Sequence, residues 1–456
     1  MSKEGECRVM EPLMGNTEGS LKPVNVSTKQ QRIAKLARQS PRMSFMSLNH
    51  YLDMEWVREA YRRLKKSSAP GYDRKTVKQY GRNLEENLMS LLDRAKSGNY
   101  FAPPVKRVYI PKDTGKETRP IGIPTTEDKL LEKAIQMLLE PIYEQDFLDC
   151  SYGFRPKRSA HQALEVIWRR IMGMGGAWVL HVDIRRYFDT VDHACLRKLL
   201  RLRVRDGVVV QLIGKWLNAG VLEEGKVSYP EQGTPQGSGI SPLLSNLYLH
   251  YVLDTWIEQV VKPRMKGDVE LVRFCDDAII LFSQRDDAER VLEVLPKRFA
   301  KYGLTINQEK TELVGFINPQ RKNEQPASFD FLGFTHYWGK SQKGRWIVKR
   351  KTAAKRFRRA LVATWNWCRK NRHKKVKAQY EILRSKIRGH YNYYGITGNF
   401  RSLSAYWHYV KRAWRYWLNR RNRGRSMPWS RFNQLLLQCY PLPRPNVVHS
   451  IYAVKP

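Results

Sequence analysis

Three aspartates stand where the sequence otherwise reads as buried β-structure. In AWVLHVDI an apolar run from Ala177 to Val182 ends at Asp183 and a helix-like pattern follows, while in LVRFCDDAIILF the pair Asp276 and Asp277 separates two apolar runs. The second stretch has the form of a β-hairpin with both acids at its tight turn, where neighbouring carboxylates can converge instead of pointing to opposite faces. Asp183 lies far from the pair in sequence, so only tertiary structure brings the three together. Gathered, they place about three negative charges in a confined space, which hard divalent cations neutralise best. Two Mg²⁺ ions about 3.5–4 Å apart activate an attacking 3′-hydroxyl and stabilise a leaving pyrophosphate in an in-line displacement. Each acid alone says little: a paired Asp commonly marks a turn, and Asp183 equally serves as the N-cap of the following helix.

The elements that position these acids follow from periodicity. Between Leu48 and Thr335 helical patterns alternate with short β-rich runs such as VKRVYIP, AWVLHVDI and LVRFCDDAIILF, which predicts an α+β region. From Trp346 onward the pattern is helical. Phe357, Leu361, Thr364, Trp365 and Cys368 share one spacing, Tyr380, Leu383, Ile387, Tyr391 and Tyr394 a second, and Leu403, Tyr406, Trp407, Val410, Trp414 and Trp417 a third. Three amphipathic helices with basic outer faces are expected to form a small bundle. Near the N-terminus, residues 1–26 are polar and mixed, and TKQQRIAKLAR predicts a short basic helix with Ile33, Leu36 and Ala37 on one side.

Charge narrows the partner class. The 456 residues carry a formal net charge of +39, and the segment from Lys340 to Pro456 holds 30 Lys and Arg against one acid, Glu381. Seven of the 13 tryptophans lie in that same segment, so cations that neutralise phosphates are interleaved with rings that stack or pack. This favours nucleic acid over a membrane, although most of these rings also suit the core of a helical domain. The six cysteines form no close pair of the kind a zinc site or redox motif needs, and no apolar run is long enough to span a bilayer. A reducing compartment is expected, the bacterial cytoplasm or nucleoid, or an organelle.

Read in order, PKDTGKETRPIGIPT (111–125), YGFRPKRSAHQA (152–163), DIRRYFDTVDH (183–193), GTPQGSGISPLLSNLYLH (233–250), RFCDD (273–277), GLTINQEKT (303–311) and FDFLGF (329–334) resemble the successive reverse-transcriptase blocks of group II intron-encoded proteins. YYGITGNF, MPWSRFNQLL and YPLPRPNVVHSIY resemble the family's thumb, or maturase X, region. The resemblance implies a basic, partly disordered N-terminal extension over 1–47, fingers and palm with an antiparallel sheet over 48–335, and an all-α thumb/maturase domain over 340–456, together a right-hand polymerase of α+β class. Asp183, Asp276 and Asp277 match the metal-binding palm aspartates, with the Ile184 carbonyl as a further ligand of two Mg²⁺ ions, for which Mn²⁺ can substitute. Phe188 matches the steric gate against a 2′-hydroxyl; a core Phe at a helix start is the plain alternative. Lys112 and Arg119 match the triphosphate-holding residues and Gln236 a nucleotide contact, with Gly237 and Gly239 permitting close backbone approach. Arg155 is expected along the template strand.

The chain departs from the family at Phe274-Cys275, where Tyr-Ala is usual, and at PQGSGISP, where PQGGVISP is commoner. The first keeps the ring and all ligands, so lowered or altered activity is the most it implies. A DNA endonuclease domain is not expected. The function implied is RNA-directed DNA polymerisation from dNTPs on an RNA template and DNA primer or target, with binding of group II intron RNA that supports splicing and retrohoming. The alternatives are an RNA-binding maturase with polymerisation dispensable, and a free-standing relative acting in DNA repair or phage defence.

Overall fold

The structure, a computed structural model, describes residues 25–111, 118–223, 226–229, 232–233, 237–320, 327–421 and 426–450. It mixes helices with largely antiparallel sheets, an α+β arrangement. The strands are β1 (Val105–Pro111), β2 (Thr118–Ile123), β3 (Gly176–Val182), β4 (Val221–Glu223), β5 (Lys226–Ser228), β6 (Val269–Phe274), β7 (Asp277–Phe282), β8 (Glu312–Ile317), β9 (Ser328–Phe331), β10 (Phe334–Lys340) and β11 (Trp346–Thr352). They form three sheets, ordered β2-β1-β4-β5, β6-β7-β3-β8 and β11-β10-β9.

The β6-β7-β3-β8 sheet is buried on both faces, which explains why its strands read as apolar runs broken only at their ends. Leu180, Val182, Leu271, Ala278, Ile280 and Phe282 join the large core built on the Thr126–Asp146 helix. Their alternates Ala177, Val179, Val272, Ile279 and Leu281 face the other way, against the Ala160–Met174 helix and the β9-β10-β11 sheet, where Phe329, Phe331, Phe334 and Val348 are also buried. Period-two alternation therefore decides which side of the sheet every later residue of β3 and β7 faces.

At the N-terminal end the Val26–Gln39 helix is capped by Asn25 and buries Val26, Ile33 and Ala37. Leu36, expected on that side, is 40% exposed. The helix is tied to 126–146 by Gln30 Nε2 donating to the Met137 carbonyl and Arg38 Nε to Gln145 Oε1.

Residues 346–352, expected to be helical, are instead β11. Val348, Arg350 and Thr352 turn inward and Lys349 and Lys351 outward, a strand alternation disguised by a buried arginine. β10 crosses residues 334–340 and pairs with β11, so this sheet joins the α+β region to the helices that follow. Those helices are Ala354–Asn371, Val376–Tyr394, Phe400–Asn419 and Trp429–Gln438. The last adds a fourth member to the expected three and packs Phe432 and Leu436 beside Trp414, Leu383 and Leu403. Among the described residues, no helix is long and apolar enough to cross a membrane.

Candidate active site

β3 pairs with β7 antiparallel, Leu180 against Ile280 and Val182 against Ala278. One step further along this register Asp183 lies opposite Asp277. Residues directly opposite point to the same face, so the two side chains leave the sheet on one side. The tight turn is shifted by one residue from its expected place: Phe274 pairs with Asp277, Cys275 and Asp276 form the two-residue turn, and Asp277 opens β7. Two-residue hairpins require positive φ in the turn, and Cys275 supplies it at +62°.

The segment GLTINQEKT holds Asp183. Thr311 Oγ1 accepts the Asp183 N–H at 3.2 Å, Asn307 Nδ2 donates to Asp183 Oδ1 at 3.2 Å, and Lys310 Nζ lies 3.9 Å from Oδ2. Ile184 bridges Ile306 antiparallel, and the bonds that make this bridge belong to its neighbours, Asn307 N–H to the Asp183 carbonyl and Arg185 N–H to the Thr305 carbonyl. In that geometry the Ile184 carbonyl faces away from 306, toward the β7 side.

Three groups set the hairpin in place, and two of them the sequence hid. Arg273 is fully buried; it forks onto Asp254 at 2.7 and 2.6 Å and also donates to Asn246 Oδ1, Ser151 Oγ and the Cys275 carbonyl. Gly153 lies flat against the turn, where an added Cβ would collide with the Cys275 backbone. His181, on the same face as Asp183, places Nε2 2.7 Å from Asp277 Oδ1. Burial opposes a charge on this imidazole, but the Asp277 hydrogen bond and the nearby acids outweigh it and raise its pKa. The i−2 spacing from Asp183 was the available signal for His181; for Arg273 there was none beyond its place beside the acids.

Asp276 is half-buried, and burial pushes its carboxyl up, with repulsion from Asp277 adding to the shift and Arg119 pulling it back. That interaction places the exposed Arg119 of β2 in the electrostatic neighbourhood of the acids. Burial also lifts the Cys275 thiol to about 12, so it packs as a small apolar group 3.8 Å from Ser245 Oγ. Phe274 packs into the core on its side of the sheet.

Other expected residues fall elsewhere. Arg155, expected along the template strand, is buried, and its guanidinium donates to Glu144 and to the carbonyls of Phe147, Leu148 and Ser151. Phe188 is half-buried and meets Tyr187 edge-on at 5.3 Å. Lys112 and Gln236 lie outside the described residues. Next to Gln236, Gly237 approaches the backbone of β2 at Gly122, and Gly239 approaches Glu132, so the close contacts these glycines permit are internal. Glu132, unremarked in the sequence, is buried and holds this loop by accepting from Ser238 Oγ at 2.7 Å and the Gly239 N–H at 2.6 Å; burial, with Asp128 nearby, raises its carboxyl to about 8.

Among the described residues, no three His, Cys, Asp or Glu side chains gather closely enough to hold a metal by themselves. Mg²⁺ does not require such a cage: it is commonly held by one or two carboxylates, with substrate phosphates and water completing its shell. Asp183 and Asp277 with the Ile184 carbonyl offer an all-oxygen donor set, and Asp276, whose carboxyl burial pushes up, stands at the adjoining turn.

Residues 110–336 match the protein family described as reverse transcriptase (RNA-dependent DNA polymerase). The chain is 40% identical over 247 residues to the group II intron-encoded protein LtrA of Lactococcus lactis subsp. cremoris, covering 53% of this chain and 39% of that protein. It is 38% identical over 232 residues to protein YkfC of Escherichia coli (49% of this chain, 61% of that protein). The chain belongs to the group II intron-encoded reverse transcriptase and maturase family. A longer but weaker likeness, 26% over 440 residues, joins it to the putative COX1/OXI3 intron 1 protein of Saccharomyces cerevisiae, covering 80% of this chain and 52% of that one. The chain thus spans between two fifths and about three fifths of these relatives' lengths. The matched segment contains the carboxylate face entire.

Proposed function

We propose that the chain is an RNA-directed DNA polymerase that also binds group II intron RNA and supports its splicing and retrohoming. The observation that carries this reading is the register that sets Asp183 beside Asp277 with Asp276 at the adjoining turn. In this reading residues 48–335 are fingers and palm, 340–456 the thumb/maturase domain and 1–47 a basic extension. Bound Mg²⁺, or Mn²⁺ in its place, supplies Lewis-acid activation of the primer 3′-hydroxyl and neutralises charge on the leaving pyrophosphate. Asp183, Asp277 and the Ile184 carbonyl are the holding groups, with Asp276 beside them. Asn307 and His181 keep the two facing carboxylates oriented. Arg119, with Lys112 and Gln236 carried over from the family pattern, positions the triphosphate of the incoming dNTP, and Phe188 excludes a ribonucleotide by its 2′-hydroxyl.

The test is extension of a DNA primer on an RNA template by the purified chain with Mg²⁺ and dNTPs. Asp276→Ala and Asp183→Asn are each expected to abolish extension while leaving the circular dichroism spectrum intact; extension that survives in either folded variant refutes the reading. Phe188→Ala is expected to admit ribonucleotides, and unchanged selectivity removes the gate assignment. The maturase-only alternative draws on the basic segment after Lys340, and absence of extension by wild-type chain under Mg²⁺ or Mn²⁺, with tight intron RNA binding intact, would favour it.

A further inference from the structure

Between His193 and Leu222 the chain has six Lys and Arg and one acid, Asp206. The His193–Leu200 helix turns Leu196, Leu199 and Leu200 inward and leaves Arg197 half-buried on its outer side, with Arg201 and Arg205 exposed just beyond its end. The Gly207–Leu217 helix forms the opposite bank of a groove of about 530 Å³, lined by these three arginines together with Gly207, Gly214 and Lys215.

The charge in this groove is not neutralised from within. Asp206 is buried and spends its carboxylate on the N–H groups of Leu48, Asn49 and Val209. Lys215 Nζ donates to the carbonyls of Gly98 and Tyr100, which carry no charge. Arg203, in the same run, points inward to Asp146 at 2.8 Å. Among the described residues, Arg197, Arg201 and Arg205 have no such carboxylate; Arg205 Nε donates to the Arg201 carbonyl, which keeps the two side by side. The glycines point the same way. A Cβ on Gly207 or Gly214 would meet nothing within 4 Å, so no internal packing requires glycine there, and glycine is a poor helix former. Their effect is to keep the trough open to an approach from outside.

We propose that this groove is an RNA site that tracks a phosphodiester backbone and anchors folded RNA apart from the carboxylate face. Unneutralised guanidinium groups along an open trough match a run of phosphates. An acidic protein fits less well, because no aromatic or large apolar anchor lines the groove, whereas protein interfaces draw their affinity from such anchors. The proposal rests on the RNA-binding half of the proposed function, giving that RNA a place on the fold, and does not depend on the polymerase half.

The experiment measures binding of a folded RNA stem-loop, with no annealed primer, to the full chain in EDTA without dNTPs, across a salt series. Arg197→Gln/Arg201→Gln/Arg205→Gln is expected to weaken binding about ten- to a hundredfold and to reduce the slope of log K against log salt by about two to three, and the triple Lys variant to restore most of that slope. Gly214→Leu, which fills the trough with a better helix former, is expected to weaken binding without lowering the unfolding midpoint. Extension on a short pre-annealed template and primer should be unchanged in all of these variants, relative to wild type. Unchanged RNA affinity and salt slope in a folded triple variant would overturn the proposal. So would an equal loss of short template-primer binding, which would make the arginines part of the polymerising groove. Because binding is read without metal or dNTPs, failure of the polymerase reading leaves a separate signature, no extension by the wild-type chain.

Discussion

Arg273→Met isolates what holds the hairpin. Arg273 and Asp254 are both fully buried and bonded at 2.6 and 2.7 Å, and the same guanidinium serves Asn246, Ser151 and the Cys275 carbonyl. Removing one member of a buried pair leaves an uncompensated charge and costs about 3–5 kcal/mol. Against a total stability of about 5–15 kcal/mol this is about a fifth of the fold or more. With an m-value of about 3 kcal/mol/M, the urea midpoint should fall by about 1 M or more. The double variant Arg273→Met/Asp254→Leu removes the stranded charge and should recover most of that loss, since well-packed apolar pairs replace buried ion pairs at little cost. Activity should part from stability here. The Cys275 carbonyl remains without its donor in the double variant, so primer extension should stay depressed even when the midpoint has returned. A single variant costing under about 1 kcal/mol, or a double no more stable than the single, would refute the assignment of the pair as the hairpin's anchor.

Gly153→Ala should destabilise the hairpin and lower extension, because its Cβ has no room against the Cys275 backbone; a wild-type midpoint and rate would show that the turn yields freely. Cys275→Gly should be neutral or stabilising by up to about 1 kcal/mol despite lying beside the acids, since glycine adopts the +62° φ without strain, and a large loss of stability would mean that the buried thiol contributes more than its backbone costs. Acid should weaken the fold through its buried histidines, above the range in which ordinary carboxylates take a proton. Burial lowers His336 to about 3 and His250 and His390 to about 4. Each is neutral in the fold and takes a proton near pH 6.5 only when unfolded, so the stability it contributes is complete above that pH and is lost progressively below it, down to the folded pKa. At pH 5 the loss is about 2 kcal/mol per histidine. A thermal midpoint flat from pH 7 to pH 5, or one unaltered in its pH slope by His336→Phe, would contradict this.

The parts legible in the sequence are those that local periodicity determines. A strand ending in Asp183, a hairpin around Asp276 and helical faces built on Leu383, Ile387, Leu403 and Trp414 all follow from spacing of two or of three to four residues, and each element is present. The turn was misplaced by one residue because the positive φ falls on Cys275, a residue with no particular preference for it. β11 was read as helix because Arg350, facing inward, breaks the apolar half of its alternation.

What remained hidden is what a charge does once long-range partners are known. Arg155, Arg203 and Arg273 look in sequence like Arg119, Arg201 and Arg205. Three of them are committed inside the protein, to Glu144, Asp146 and Asp254, and those acids come from helices that only the fold brings near. Arginine's five donors make it equally suited to a phosphate and to a ring of carbonyls, so residue type cannot separate recognition from internal bracing. Burial does separate them: a guanidinium whose donors are all satisfied internally sets geometry, and one left at the surface without a carboxylate is available to nucleic acid. By that criterion Arg273 belongs to the architecture of the candidate active site, and Arg201 and Arg205, beside an otherwise unexplained open groove, belong to recognition.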